Sequence, residues 1–262
     1  MYIKNWPNKS ENLIHGDYHK YHGGYLHPHF LSWIDKSKVQ TILEIGSRDA
    51  IDAIELSEYY EASVYAFECN PEGISLCQHN IGNNPNVKLV PLAAWKESTS
   101  LSFYPVVGPP GTFPNIGASS LFQSHPTCFD YQVQSEIKVQ AVRLDEWMAE
   151  NHIVADLVCI DAQGATIEVM QGLEKALTNI KYIIAEANIK RYYLKEHLHP
   201  EIISYFTSKG FFPIMQIIGG DDPAYTDVLF VRKDLLKVNI FPAIFNNDKG
   251  FLQNLEGKVS LA

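Results

Sequence analysis

The sequence has only four cysteines in 262 residues, Cys69, Cys77, Cys128 and Cys159, and their spacing is not one that metal binding uses. Two of them lie in strand-like apolar stretches where a free thiol packs as a small hydrophobe, which suits a reducing compartment. Basic residues are scarce beside acids: 21 Lys and Arg against 30 Asp and Glu, for a net charge of −9. That balance argues against nucleic acid as a partner, because a broad phosphate contact needs clustered Lys and Arg. No run approaches the roughly 18 apolar residues of a membrane span, and the opening MYIKNWPNKSENLIHG lacks an apolar core of signal-peptide length. The expectation is a cytoplasmic protein with no membrane partner. Internal repeats, low-complexity tracts and Gly-, Pro- or Ser-rich linkers are also missing. Residues 1–262 are therefore expected to form one domain.

What is present is an alternation of strand and helix signals. TILEIG (41–46) reads as a strand, AIDAIELSEYYE (50–61) as a helix, SVYAFECN (63–70) as a strand, and EGISLCQHNI after Pro71 as a helix. NVKLVPLAAW (86–95) and DLVCIDAQG (156–164) read as further strands, and TIEVMQGLEKALTN (166–179) as a helix. The strand KYIIAEAN (181–188) and the helix PEIISYFTSKG (200–210) follow, before FFPIMQII and TDVLFVRKDL pair across GGDDPAY. Continuous apolar strands separated by helices predict an α/β fold, a parallel sheet covered on both faces, and the last pair predicts an antiparallel edge. Three segments stand outside: a cover dense in Tyr and His (1–40), an insertion rich in Pro, Gly and Ser (98–138), and a C-terminal tail (236–262). The first two are expected over the strand ends, where open α/β sheets bind ligands.

The turn after the first strand has Gly46 but then Ser47, Arg48, Asp49 and Ala50, where a dinucleotide-binding turn commonly repeats glycine. Gly46 lets a ligand approach the backbone, and Glu68 at the end of the second strand is placed to accept the hydroxyl protons of a ribose. A pyrophosphate would meet Glu44, Asp49 and Asp52 in this turn, which repel it. S-adenosylmethionine carries no phosphate, and its sulfonium and ammonium favour acidic company.

Taken in order, EIGSRDA, AFECNP, VPLAAW, GASSLF, VRLDEW, CIDAQGATIEVMQGL and IIAEANIKRYY make the chain resemble the FkbM family of S-adenosylmethionine-dependent methyltransferases, from about Thr41 to Val231. The resemblance implies a Rossmann-like class I methyltransferase fold with a mostly parallel seven-stranded sheet, an antiparallel last hairpin and helices on both faces. It also implies O-methylation of sugar or polyketide hydroxyls, hence carbohydrate modification with a small-molecule or glycan acceptor. The family pattern carries glutamates where this chain has Gln163 and Thr166, and a second glycine in the first turn that is missing here. An NAD-dependent oxidoreductase, which also fits Gly46 and Glu68, stays open as an alternative. So does a non-catalytic member that binds cofactor without turnover.

Cofactor-binding candidates are Glu44, Gly46, Ser47, Arg48, Asp49, Glu68 and Asp161, with Cys69 and Asn70 framing adenine and ribose and Ala93 and Ala94 leaving room for the flat base. Removing a hydroxyl proton calls for a base or a metal. Asp161 at the end of the fourth strand is the first catalytic candidate, the other reading being a helix cap. Histidines 15, 19, 22 and 125 offer further bases, His125 and His22 foremost, although such residues more often sit on surfaces. Asp161, Glu186 and Asn188 would converge as a hard-cation site for Mg2+. Tyr21 and Tyr104, with Tyr18, Tyr25, Phe103 and Phe113, could stack on a sugar while Ser119 and Ser120 bond its hydroxyls; packing between cover and sheet accounts for them equally well. Arg48 and Arg143 could meet an anionic group or pair with local acids.

Overall fold

The structure, a computed structural model, describes residues 24–107, 115–126, 133–218 and 224–236. The readings of His15, Tyr18, His19, Tyr21, His22, Phe113 and Cys128 fall outside the described residues. The chain runs through α1 (Pro28–Leu31), β1 (Thr41–Ile45), α2 (Ile51–Tyr60), β2 (Ser63–Phe67), α3 (Pro71–Ile81) and β3 (Val87–Val90). It continues through β4 (Ala93–Trp95), β5 (Thr99–Phe103), β6 (Ile137–Arg143) and α4 (Leu144–Glu150), and then β7 (Leu157–Ile160) and α5 (Thr166–Gly172). The last elements are β8 (Tyr182–Asn188), α6 (His199–Ser208), β9 (Phe211–Ile218) and β10 (Tyr225–Arg232).

Seven strands form one sheet in the order β3-β2-β1-β7-β8-β10-β9. β3, β2, β1, β7 and β8 are parallel, and β10 runs antiparallel between β8 and β9. This is the Rossmann-like sheet with a reversed last hairpin that the sequence predicts. Its central strands are mostly apolar because successive residues feed two cores in turn, with Glu44, Glu186 and Asn188 toward their carboxyl ends. Leu43, Ile45, Val158 and Ile160 pack with Leu144, Met170 and Phe206 from α4, α5 and α6. Ile42, Leu157, Cys159 and Ile184 face the other way, against Phe30, Leu56 and Cys77 from α1, α2 and α3. Pro213 lacks an amide proton and is tolerated on β9 because that strand is the sheet edge, next to a register shift between Leu229 and Phe230.

Three expectations need correction. The run 86–95 is not one strand: Pro91 cannot extend the ladder, and the chain leaves the main sheet there so that Ala93–Trp95 becomes β4. β4, β6 and β5 make a second, three-stranded sheet, with β4 and β6 parallel and β5 and β6 antiparallel. Residues 98–138 are therefore not simply a long loop, since β5 and the start of β6 are ordered strands within them. The small sheet is held by its own cluster, in which Trp95, Phe103, Phe122, Val139 and Tyr193 pack together. α5 is also shorter than predicted: it ends at Gly172, where a side chain would meet the Trp95 carbonyl oxygen at 2.2 Å. Among the described residues no helix is long and apolar enough to cross a membrane.

Candidate active site

The order of the sheet reverses between β1 and β7, and ligand crevices open at such switch points beyond the carboxyl ends of parallel strands. Here the two strand ends touch. Gly46 has φ +85°, and a side chain on it would come within 1.8 Å of the Asp161 carbonyl oxygen. Its glycine is required by the neighbouring strand as much as by any ligand. Beyond this contact lies a cavity of about 500 Å³.

The turn after β1 is shaped by its acids. Glu44 is buried beneath the cavity wall and accepts a hydrogen bond from the Ser47 hydroxyl. Burial pushes its carboxyl well above the usual range, and Asp52 adds to this against the Ser47 bond. Asp49 accepts from the Ile51 amide at 3.2 Å, which supplies an acceptor at the start of α2 where the Ala50 side chain has none to offer, and it pairs with the Arg48 guanidinium at 3.1 Å. Neither Glu44 nor Asp49 lines the cavity, whereas Gly46, Ser47 and Arg48 do. The expected grip of Glu44 on a ligand is corrected accordingly: its carboxyl holds the turn from behind.

Glu68, just past β2, lines the cavity. Its carboxylate accepts backbone N–H bonds from Arg48 at 2.7 Å, Cys69 at 2.8 Å and Asn70 at 2.7 Å. Burial still raises its pKa, with these three bonds pulling the other way. Two of the bonds fall on Oε1 and one on Oε2, so Oε2 retains capacity for a further donor. Cys69, Ala93 and Ala94 stand in the wall beside it. Asn70 does not; it caps α3 through Glu72 N and donates to Ser119 Oγ at 3.3 Å.

The insertion folds back over the strand ends, and residues 115–121 together with Ser124 contribute to the wall. Ser119 accepts from Val106 N at 3.0 Å, while Ser120 donates to the Gln163 carbonyl at 2.7 Å and accepts from Phe122 N at 2.9 Å. Both hydroxyls thus have protein partners, and their main service is to dock this segment. Tyr104 pairs its backbone with Ser120 and is absent from the wall, as is His125, whose amide donates to the Tyr192 carbonyl at 2.6 Å. Arg143 forks onto Asp145 at 2.8 and 2.9 Å, away from the cavity.

At the far side, Asp161, Gln163, Glu186 and Asp227 meet. The Gln163 amide donates to Asp161 Oδ1 at 2.5 Å and faces both Glu186 oxygens at 3.4 and 3.5 Å. The Tyr193 hydroxyl fixes this orientation: it lies 2.7 Å from Gln163 Oε1 and 2.9 Å from the Ala118 carbonyl, its one proton shared between them. Burial raises the pKa of Asp161, opposed by Gln163 and Arg48, and burial followed by Asp161 and Asp227 raises that of Glu186 well above the usual range. Asn188 directs its amide away, to Glu196 at 2.7 Å. Among the described residues no group of three or more His, Cys, Asp or Glu is arranged to hold a metal ion. The expected Mg2+ site on Asp161, Glu186 and Asn188 is therefore corrected: an amide donor sits between the two acids, and the third group bonds elsewhere.

The sequence reading missed Asp227, Tyr192, Tyr193 and Tyr225 in this wall. IIAEANIKRYY held a visible signal in its tyrosine pair, but Asp227 reads as one polar residue in an apolar strand. Among its described residues the wall carries five carboxylates, Asp52, Glu68, Asp161, Glu186 and Asp227, and one Lys or Arg side chain, Arg48.

Residues 44–213 match the methyltransferase FkbM domain. The chain is 27% identical over 173 residues to the 2-O-methyltransferase NoeI of Sinorhizobium fredii, covering 64% of this chain and 71% of that one. Among solved structures it is similar to M. capricolum TrmK in complex with S-adenosyl-homocysteine, with a TM-score of 0.44 and 13% identity over 74% of this chain and 62% of that one. It is also similar to Aeropyrum pernix fibrillarin in complex with natively bound S-adenosyl-L-methionine, with a TM-score of 0.46 and 10% identity over 76% of this chain and 69% of that one. The chain thus spans less than two thirds of the TrmK chain it matches. The FkbM match extends over more than half of the 262 residues, and the chain belongs to the FkbM methyltransferase family.

Proposed function

We propose that the protein is an S-adenosylmethionine-dependent O-methyltransferase acting on a hydroxyl of a sugar or glycan, with 1–262 working as one methyltransferase domain. The observation that carries this reading is the acidity of the cavity: five carboxyl groups in its described wall, raised by burial and mutual repulsion that a bound cation would relieve, against one cation, Arg48, already paired with Asp49. A pyrophosphate would be repelled there, whereas a sulfonium and an ammonium are attracted. The likeness to a protein named 2-O-methyltransferase supports oxygen as the accepting atom.

The residues present fit this cofactor. Glu68 Oε2 would accept from a ribose hydroxyl, and the small side chains of Ala93 and Ala94, with Cys69, leave a slot for a flat base. Gly46, Ser47, Arg48 and Asp161 would face the amino acid tail. When bound, S-adenosylmethionine supplies an electrophilic methyl group. The chain's own work is alignment, exclusion of water by the docked 115–124 segment, and acceptance of a proton. Asp161 contributes to orientation, since its Oδ1 is already tied to Gln163.

Calorimetric titration tests the reading. S-adenosylmethionine should bind and NAD should not; no heat from the former, or preferential binding of the latter, overturns it. Incubation with isotopically labelled cofactor and a panel of neutral, amino and nucleotide-linked sugars, followed by mass measurement, then separates an active enzyme from a member that binds without turnover.

A further inference from the structure

The acids at the β8 and β10 end of the cavity are arranged differently from the rest. β8 and β10 are antiparallel neighbours, and their register sets Asp227 directly opposite Glu186. Directly paired residues of adjacent strands project to the same face, with Cβ atoms roughly 5 Å apart. Both side chains line the cavity and both are half-buried. Glu186 has the Gln163 amide in front of it, but the Asp227 carboxylate makes no hydrogen bond or ion pair among the described residues. A Cβ on Gly24 would lie 3.4 Å from Asp227 Oδ2, so the chain passes within van der Waals contact of the carboxylate there.

Two carboxyl groups this close in a partly dry site do not both ionise readily. Other groups press the same way. Asp161 beyond β7 and Asp52 on α2 repel an Asp227 anion, and with burial as the larger cause they bring it to about 7. Cys159 on β7 and Tyr225 on β10 feel the Asp227 charge in turn, and on the β9 side the partner in register is Ile217, which carries none. Arg48 is bound to Asp49 and has Asp161 closer to its field.

Resting on the O-methyltransferase reading, we propose that Asp227 and Glu186 hold one proton between them and that Asp227 is the catalytic residue that takes the proton from the acceptor hydroxyl. Glu186 keeps the shared proton, while Asp161 is engaged by Gln163. Transfer joins the hydroxyl oxygen to the methyl carbon as the carbon–sulfur bond breaks, the sulfur retaining the electron pair as a neutral thioether. The hydroxyl proton passes to Asp227 Oδ and from there to solvent. No oxidant or metal enters the balance.

Two measurements on the full chain test this. The first needs no acceptor: carboxyl 13C resonances are titrated by NMR, with Asp227 assigned by difference from D227N. Asp227 should titrate near 7, and Glu186, assigned by difference from E186Q, should titrate above Asp227 and fall by about one unit or more in D227N, because the Asp227 charge raises it. Titration of Asp227 below about 5, or indifference of Glu186 to D227N, overturns the pair. The second uses an acceptor from the panel. D227N should lower kcat about 100-fold at alkaline pH and abolish its rise with pH, while cofactor affinity by calorimetry stays within about threefold. E186Q, in which the neutral amide stands in for the protonated carboxyl, should keep most of kcat and leave the rise at the same pH. A D227N protein with native kcat, or a pair that titrates as stated in a protein that methylates no hydroxyl, overturns the catalytic assignment. The calorimetric result stands apart from both, so loss of this assignment and loss of the cofactor reading are distinguishable.

Discussion

At the β1 and β2 end of the cavity Glu44, Asp49 and Glu68 all have protein donors, a hydroxyl, an amide with a guanidinium, and three amides respectively. At the β8 and β10 end Glu186 has two long contacts to one amide, and Asp227 has none among the described residues. The first group gives the turn its shape, and the fold depends on it. The second group costs the fold something, because half-buried acids that lack partners repel one another. A structure keeps such a cluster only where the rest of the molecule is strong enough to hold it, and active sites are where this is commonly found.

The sharpest way to break the comparison is at the contact joining the two ends. Gly46→Ala places a side chain 1.8 Å from the Asp161 carbonyl oxygen at φ +85°. It should destabilise the protein by upwards of about 3 kcal/mol, read by denaturant unfolding. Glu68→Gln comes next: the amide oxygen can keep the bonds on one side, but the NH2 that replaces the other oxygen cannot accept, so at least one backbone N–H loses its partner; stability should fall by about 2 kcal/mol and cofactor affinity at least about tenfold. The matching change at the other end, Asp227→Asn, should do the opposite and stabilise the ligand-free protein by about 1 kcal/mol at pH 8. Loss of stability in that variant would erase the contrast.

The same contrast has a pH signature. Asp52 and Asp227 are raised to about 7, chiefly by burial, so the folded chain keeps protons that the unfolded chain releases near pH 4. Their contribution to stability is whole below about pH 4 and is lost as the pH rises to about 7. Thermal unfolding of the ligand-free protein should show a Tm that falls by a few degrees between about pH 5 and pH 8, less in D227N; a rising Tm would contradict it. The smallest effect is expected from Tyr193→Phe, which removes the hydroxyl between Gln163 and Ala118. It should cost about 1 kcal/mol or less and quicken amide hydrogen exchange across residues 115–121.

The first end of the cavity was largely legible in the sequence. Gly46, Glu68, Ala93 and Ala94 can be located because they follow strands whose burial is written in consecutive apolar residues. The part played by Glu44 was not legible: a carboxylate at a strand end looks the same whether it faces the cavity or a hydroxyl three residues on. The second end escaped for a different reason. Asp227 matters because antiparallel register sets it against Glu186, and register is a property of two strands that are remote in the chain. The departure of β4 from the main sheet was hidden by the apolar continuity of 86–95, although Pro91 marked the place.

β4 and β6 are adjacent and parallel, with Ala93, Ala94 and Trp95 abutting Ala141, Val142 and Arg143. The polypeptide thus departs at Trp95 and re-enters at Ala141 through neighbouring doorways, with β5 and the wall residues 115–121 between them in the chain. The described part of that stretch is tied back by Ser119 with Asn70, Ser120 with Gln163 and Ala118 with Tyr193, and those contacts are what an exchanged segment has to keep. On the function proposed above, a cassette exchanged between those two doorways with these contacts kept would give the same cofactor chemistry a different acceptor.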